Sequence, residues 1–126
     1  MRALLDTAAF LFAVDSPERL GKRAAYALSD SANNLEISTI SLTEIAIKST
    51  RGRLRFSPED VRRGIDQLNA RLLPFTADHA FLLSRLPLHH SDPFDRQIIA
   101  QALSEEIPIL TPDRQFSLYK ELKVIW

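Results

Sequence analysis

Short apolar runs alternate with longer stretches patterned for helix along the whole chain, and that alternation restricts the fold more than anything else in it. Ala3-Leu4-Leu5 is apolar and stops at Asp6, as expected of a parallel strand buried on both faces. Thr7–Val14 reads as a helix with Phe10, Leu11 and Val14 on one side. Ser16-Pro17 is a helix start, Ser16 at the N-cap and Pro17 at the first helical position. Glu18–Ser31 follows as an amphipathic helix with Leu20, Ala24, Ala27 and Leu28 inward. After a loop at 31–34, Leu35–Thr39 alternates apolar and polar residues and reads as a strand. Ser41 is the expected N-cap of the next helix, with Glu44 at capping-box spacing, and that helix runs to about Thr50. Arg51-Gly52-Arg53 breaks it. Ser57-Pro58-Glu59 opens a helix reaching about Arg71. A strand at Leu72–Phe75 and a helix at Ala77–Leu86 come next. Pro93 opens a helix to about Glu105. Ile107–Leu110 is a strand, Phe116–Leu122 a short helix and Lys123–Ile125 a last strand. Strands alternating with helices predict an α/β sandwich on a mostly parallel sheet. With 126 residues, the chain suits a single domain, 1–126.

The stretch Leu88–Ala102, LHHSDPFDRQIIAQA, carries the chemistry. Asp92 reads as an N-cap before Pro93. Asp95 falls in the first helical turn, followed by the apolar Ile98, Ile99, Ala100, Ala102 and Leu103. Asp6 follows a strand, Asp113 follows another by three residues, and Glu44 lies in the first turn of a helix after a third. In a parallel sheet the ligand site lies beyond the carboxyl ends of the strands, so all five acids are expected at one end. Each has a bland reading as a cap, turn or dipole residue; five together at one end of one sheet do not. Crowded carboxylates repel and raise one another's pKa unless a cation sits among them. Oxygen-only ligation points to Mg²⁺ or Mn²⁺, and such a centre suits attack of an activated water on a phosphodiester.

Lys plus Arg equals Asp plus Glu at 16 each, so no global field draws in nucleic acid and any such contact is local. Arg96 and Arg114 each follow an acid and either meet phosphate or pair with the carboxylates. Lys48, Arg51, Arg53 and Arg55 form a basic stretch that is either a solvated face or a phosphate edge. Thr7, Ser41 and Thr111 are hydroxyls beside the acids, as caps or as groups that place a water. There is no cysteine, which excludes disulfides, a thiolate nucleophile and a cysteine zinc site. His89 and His90 are adjacent and lack a third nitrogen or sulfur partner, so zinc is disfavoured. The apolar start is interrupted by Asp6 and is too short for a membrane span. A soluble, intracellular protein is expected.

LLDT at Leu4–Thr7, SLTEIAIK at Ser41–Lys48, HHSDPFDRQIIAQA at His89–Ala102 and TPDRQF at Thr111–Phe116 resemble the PIN-domain family. More narrowly, they resemble the VapC-type toxins of bacterial type II toxin–antitoxin modules. The four blocks stand in the family's order and cover nearly the whole chain. The resemblance implies a PIN-like three-layer sandwich, its central sheet flanked by helices. It implies a Mg²⁺- or Mn²⁺-dependent endoribonuclease acting on RNA in the cytoplasm, with the acidic quartet at Asp6, Glu44, Asp95 and Asp113 and Asp92 as an auxiliary ligand. In that reading Asp6, Asp95 and Asp113 hold the metal and Glu44 completes the site or orients the water. Arg96, Arg114 and Lys48 are the candidate substrate contacts. The resemblance also implies a homodimer and a cognate VapB-type antitoxin; the apolar surface of the second helix and the Arg51–Phe56 stretch are the candidate contacts for either. A receiver-type phosphotransfer domain fits poorly, since its middle strand would end in a nucleophilic aspartate where Thr39 stands. A flap-endonuclease relative would need more acids and longer insertions. A PIN-like binding module without catalysis is the remaining alternative; all quartet acids are present.

Overall fold

The computed structural model describes residues 1–126 as five parallel strands between layers of helices. In chain order these are β1 (Arg2–Leu5), α1 (Thr7–Asp15), α2 (Lys22–Ser29), β2 (Asn34–Ser38), α3 (Thr39–Thr50), α4 (Pro58–Gln67), β3 (Arg71–Leu73), α5 (Ala77–Leu83), α6 (Pro93–Glu105), β4 (Ile109–Leu110) and β5 (Val124–Ile125). The strand order is β3-β2-β1-β4-β5, and every neighbouring pair is parallel. The expected "mostly parallel" sheet is therefore wholly parallel.

Alternation along β1 divides the core into two layers, because successive side chains leave a strand on opposite faces. Ala3 and Leu5 join a cluster with Ala9, Phe10, Ala24 and Val61, supplied by α1, α2 and α4. Leu4 joins the other, with Ile98, Ile99, Ala102 and Phe116, built largely on α6. α3 reaches both layers, Ile45 packing in the first and Ile40 against the second.

Several boundaries differ from the sequence reading. The helix expected over Glu18–Ser31 is a 3-10 turn at Pro17–Arg19 followed by α2. The chain is extended at Leu20 and Gly21, where a Cβ on Gly21 would lie 2.5 Å from the backbone carbonyl carbon of Trp126. α3 starts at Thr39 with Ser38 as its cap, accepting from the N–H of Ile40 at 2.9 Å. Ser41 is thus not an N-cap and Glu44 not a capping-box partner; both are buried inside the helix. α4 ends at Gln67, ahead of Asn69 in the left-handed region, so β3 lies at 71–73 rather than 72–75. α5 stops at Leu83. β4 and β5 are shorter than expected, and a 3-10 helix at Arg114–Leu118 replaces the helix expected over Phe116–Leu122.

Candidate metal centre

β1 has β2 on one side and β4 on the other, so the direction of winding reverses at β1. A crevice opens at such a switch point, beyond the carboxyl ends of the strands. Asp6 is the first residue after β1. Its N–H donates to Leu110 O at 3.0 Å, which fixes the turn, and its Oδ1 accepts from the N–H of Ala9 at 2.7 Å as the N-cap of α1. Its Oδ2 accepts from Thr111 Oγ1 at 2.5 Å, across from the end of β4. Thr111 Oγ1 also accepts the N–H of Asp113 at 3.0 Å, so one hydroxyl couples two of the acids. Asp113 in turn caps the following 3-10 helix through the N–H of Gln115.

Glu44 reaches the same crevice from α3. Thr7 Oγ1 lies 2.6 Å from Glu44 Oε1 and 2.9 Å from Ser41 Oγ. Its single proton goes to the carboxylate, so Ser41 supplies the proton for the other bond. Lys48, one turn along the helix, donates to Glu44 Oε2 at 2.5 Å. The hydroxyls of Thr7 and Thr111 thus hold carboxylates in place, Ser41 holds Thr7, and neither Thr7 nor Ser41 is a helix cap.

α6 precedes β4 and delivers its N-terminus to the crevice. Asp92 is exposed and caps α6, accepting the N–H of Asp95 at 2.9 Å. Asp95 is partly buried, with His90 Nε2 3.5 Å from its Oδ2. The helix N-terminus favours negative charge there.

The electrostatics are those of acids gathered without enough counter-charge. Burial pushes the Asp6 carboxyl up to about 7, against the bonds from Thr111 and Ala9, with Glu44 and Asp113 adding to the rise. Burial likewise pushes Asp95 up to about 7, helped by the charges of Asp92, Asp6, Glu44 and Asp113. All five acids expected from the sequence are therefore brought into one field. No three acidic or histidine side chains stand close enough together to hold a metal ion as they are placed. An open arrangement of oxygen donors suits Mg²⁺ or Mn²⁺, since Mg²⁺ keeps several waters and takes one or two carboxylates directly. The oxygen chemistry of the donors suits such an ion although their present spacing is open, and Asp6, Asp95 and Asp113, with Asp92 at the rim, are the residues that would hold it.

The basic residues divide. Lys48 is paired with Glu44. Arg114 is exposed beside Asp113. Arg96, expected on phosphate or on an acid, instead donates to Pro87 O, Leu86 O and Tyr119 Oη, and so anchors the loop ahead of α6. Arg51, Arg53 and Arg55 are exposed beyond the far end of α3. Sequence reasoning weighed His90 only as a zinc ligand and passed over Tyr119, although His90 stands two residues before the acidic motif.

Solved structures share this architecture. VapBC2 from Rickettsia felis bound to a promoter DNA fragment aligns with a TM-score of 0.75 at 19% identity, over 98% of this chain and 97% of that one. VapBC-1 from nontypeable Haemophilus influenzae aligns at 0.72 and 20% identity, over 98% and 96%. DNA-bound VapBC from Salmonella typhimurium aligns at 0.69 and 15%, over 98% and 96%. At these identities the likeness establishes the fold. No curated protein matches the chain in sequence. No helix is long and apolar enough to cross a membrane. The PIN domain family model matches residues 3–122, nearly the full length, and the chain belongs to the PIN domain family.

Proposed function

We propose that the chain is the toxin of a type II toxin–antitoxin module and acts as a Mg²⁺- or Mn²⁺-dependent endoribonuclease in the cytoplasm. The observation that carries this reading is the gathering of Asp6, Glu44, Asp92, Asp95 and Asp113 at one end of the sheet, near enough that their charges add to the burial that pushes the Asp6 and Asp95 carboxyls up to about 7. A carboxyl raised by burial together with specific charged neighbours is a candidate functional group. A divalent cation bound there supplies Lewis-acid polarisation of a phosphoryl oxygen and acidifies an attacking water. Asp6, held by Ala9 and Thr111, and Asp113, held through Thr111 and Gln115, present fixed carboxylates to it. Glu44 orients the attacking water, its own geometry set by Thr7 and Lys48. Arg114 meets the phosphate backbone, and Lys48 and Arg96 do so only by releasing Glu44 and the loop that they hold. Single-stranded or looped RNA is the substrate class, because unstacked bases leave the backbone accessible and the sequence readable.

The groove between α3 and α4 supports the antitoxin half of the proposal. It encloses about 490 Å³ and is lined mainly by apolar residues, among them Leu42, Ile45, Phe56, Val61 and Leu72. It is separate from the acids and fits an apolar segment of a VapB-type antitoxin. A homodimer, expected from the family resemblance, belongs to the same proposal.

The test is cleavage of total RNA by the purified, antitoxin-free protein with Mg²⁺, with Mn²⁺ and with EDTA, beside Asp95→Asn. Discrete fragments that require metal and are lost in the folded variant are the expected result. No cleavage by folded wild-type protein under any of these conditions would favour a binding module instead.

A further inference from the structure

His90 has a buried side chain that the metal centre as described does not use. It is 7% exposed and packs against Phe116 and Tyr119, ring centroids 6.0 and 5.5 Å away. Its Nδ1 lies 2.8 Å from Tyr119 Oη. Its Nε2 is buried with no hydrogen-bond partner, and the facing group is Asp95 Oδ2 at 3.5 Å. A buried polar atom left unpaired is costly and calls for an explanation.

The protons around Tyr119 settle which nitrogen faces the acid. Arg96 Nη1 donates to Tyr119 Oη at 3.1 Å, and a guanidinium is only ever a donor. The phenol proton is then free for His90 Nδ1, which makes Nδ1 the acceptor and leaves Nε2 as the N–H. The opposite tautomer would strand the phenol proton and aim a bare lone pair at a carboxylate. Arg96 is itself fixed by the carbonyls of Leu86 and Pro87 at 3.2 and 2.8 Å. The relay therefore runs from the loop backbone through Arg96, Tyr119 and His90 to Asp95.

We propose that His90 is a positioning residue for Asp95, its Nε2–H holding Oδ2 so that the other carboxylate oxygen is presented to a divalent cation. The proposal rests on reading the acids as a metal centre. The present separation is longer than a hydrogen bond. Contacts of this kind are often long until a site is filled. Partners that orient a metal-binding group typically change metal affinity 10–100-fold when removed.

The test is Mn²⁺ affinity by titration calorimetry for wild type, His90→Ala, His90→Gln and Tyr119→Phe, joined to ¹⁵N NMR of the wild-type imidazole in mildly alkaline, metal-free solution. His90→Ala should weaken Mn²⁺ binding by about 10-fold or more. His90→Gln, whose amide carries an N–H, should recover part of that. Tyr119→Phe should weaken binding by a smaller factor, because the tautomer is no longer imposed. The NMR spectrum should show the Nε2-protonated form. A folded His90→Ala variant with the wild-type Kd overturns the positioning role alone, as does an Nδ1-protonated ring in the wild type. Should His90→Ala fail to fold, Tyr119→Phe and the tautomer decide the matter on the same terms. Wild-type protein that binds no Mn²⁺ overturns the metal centre and the positioning role together.

Discussion

Asp6 shows how a single side chain is set against itself. Its carboxyl caps α1 and accepts a hydroxyl, which favours the charged form, yet burial wins and holds it at about 7 against an ordinary 3.8. A carboxyl raised on folding contributes stability that is fully present below its unfolded pKa and is lost as pH rises through the folded one. Without metal, the protein should therefore lose stability between about pH 4 and about pH 7, on the order of a few kcal/mol, as Asp6 and Asp95 give up their protons. Asp6→Asn keeps the cap, since Asn serves as well as Asp, and its amide can donate to Thr111 Oγ1. In EDTA at about pH 8 this variant should melt higher than wild type, with the difference closing below about pH 4. Thermal melts across that range check it; a variant less stable than wild type at every pH would contradict the account. Asp-Pro-Phe-Asp at 92–95 and Thr-Pro-Asp at 111–113 place acids at a helix start and a turn in the sequence alone, and Asp92, Asp6 and Asp113 do cap the elements that follow them. Their hydroxyl partners were named too, but Ser41 was given the wrong task. A serine three residues before a glutamate is a capping box only if the helix starts there, and Ser38 starts it first.

The packing of α4 against α1 depends on one close approach that propensity would not favour. Gly64 sits within α4, where an alanine would ordinarily be worth about 1 kcal/mol more. A Cβ there would lie 2.8 Å from Val14 Cγ2 and 3.0 Å from Phe10 Cζ, both on α1. Phe10 is fully buried and has nowhere to move. Gly64→Ala should therefore destabilise by about 1–3 kcal/mol despite the better helix former, through overpacking between α1 and α4. Urea unfolding measures it; an unchanged or higher midpoint would show that the two helices can part without cost. β2 offers a parallel case. Glu36 is one of the polar residues in the alternation of Leu35–Thr39, yet it is buried, and Arg2 on β1 holds it at 2.6 and 2.9 Å. His79 is likewise buried in α5, its Nδ1 accepting the N–H of Thr76 and its Nε2 3.0 Å from Glu105 on α6. Such pairs join elements, and neither half announces the other.

The acids come together only through the assembled sheet. Asp6 and Asp113 follow β1 and β4, Glu44 lies in α3 after β2, and Asp92 and Asp95 share the start of α6, and the parallel sheet places these segments at one end. A ligand that binds the folded state alone stabilises it by mass action, about 2.7 kcal/mol at a hundredfold excess over Kd. Mn²⁺ should accordingly raise the melting temperature of the wild type by about 10 °C at that excess, EDTA should reverse the rise, and Asp95→Asn should lose most of it. Scanning calorimetry over a Mn²⁺ series gives the answer. A melting temperature indifferent to Mn²⁺ and Mg²⁺ would remove the metal centre from the account.

The linear chain already carried the alternation of strand and helix, the Ser-Pro start of α4 and the Asp-Pro start of α6, and the identities of the acids. These depend on neighbours a few residues away, whose sterics and capping bonds act in any context. Strand order, the loss of the helix at Gly21, the ion pair of Arg2 with Glu36, and the bond from Thr111 to Asp6 across 105 residues were settled by packing alone. The contacts that decide them exist only once distant segments have met, and burial then turns ordinary aspartates into groups that titrate near neutrality.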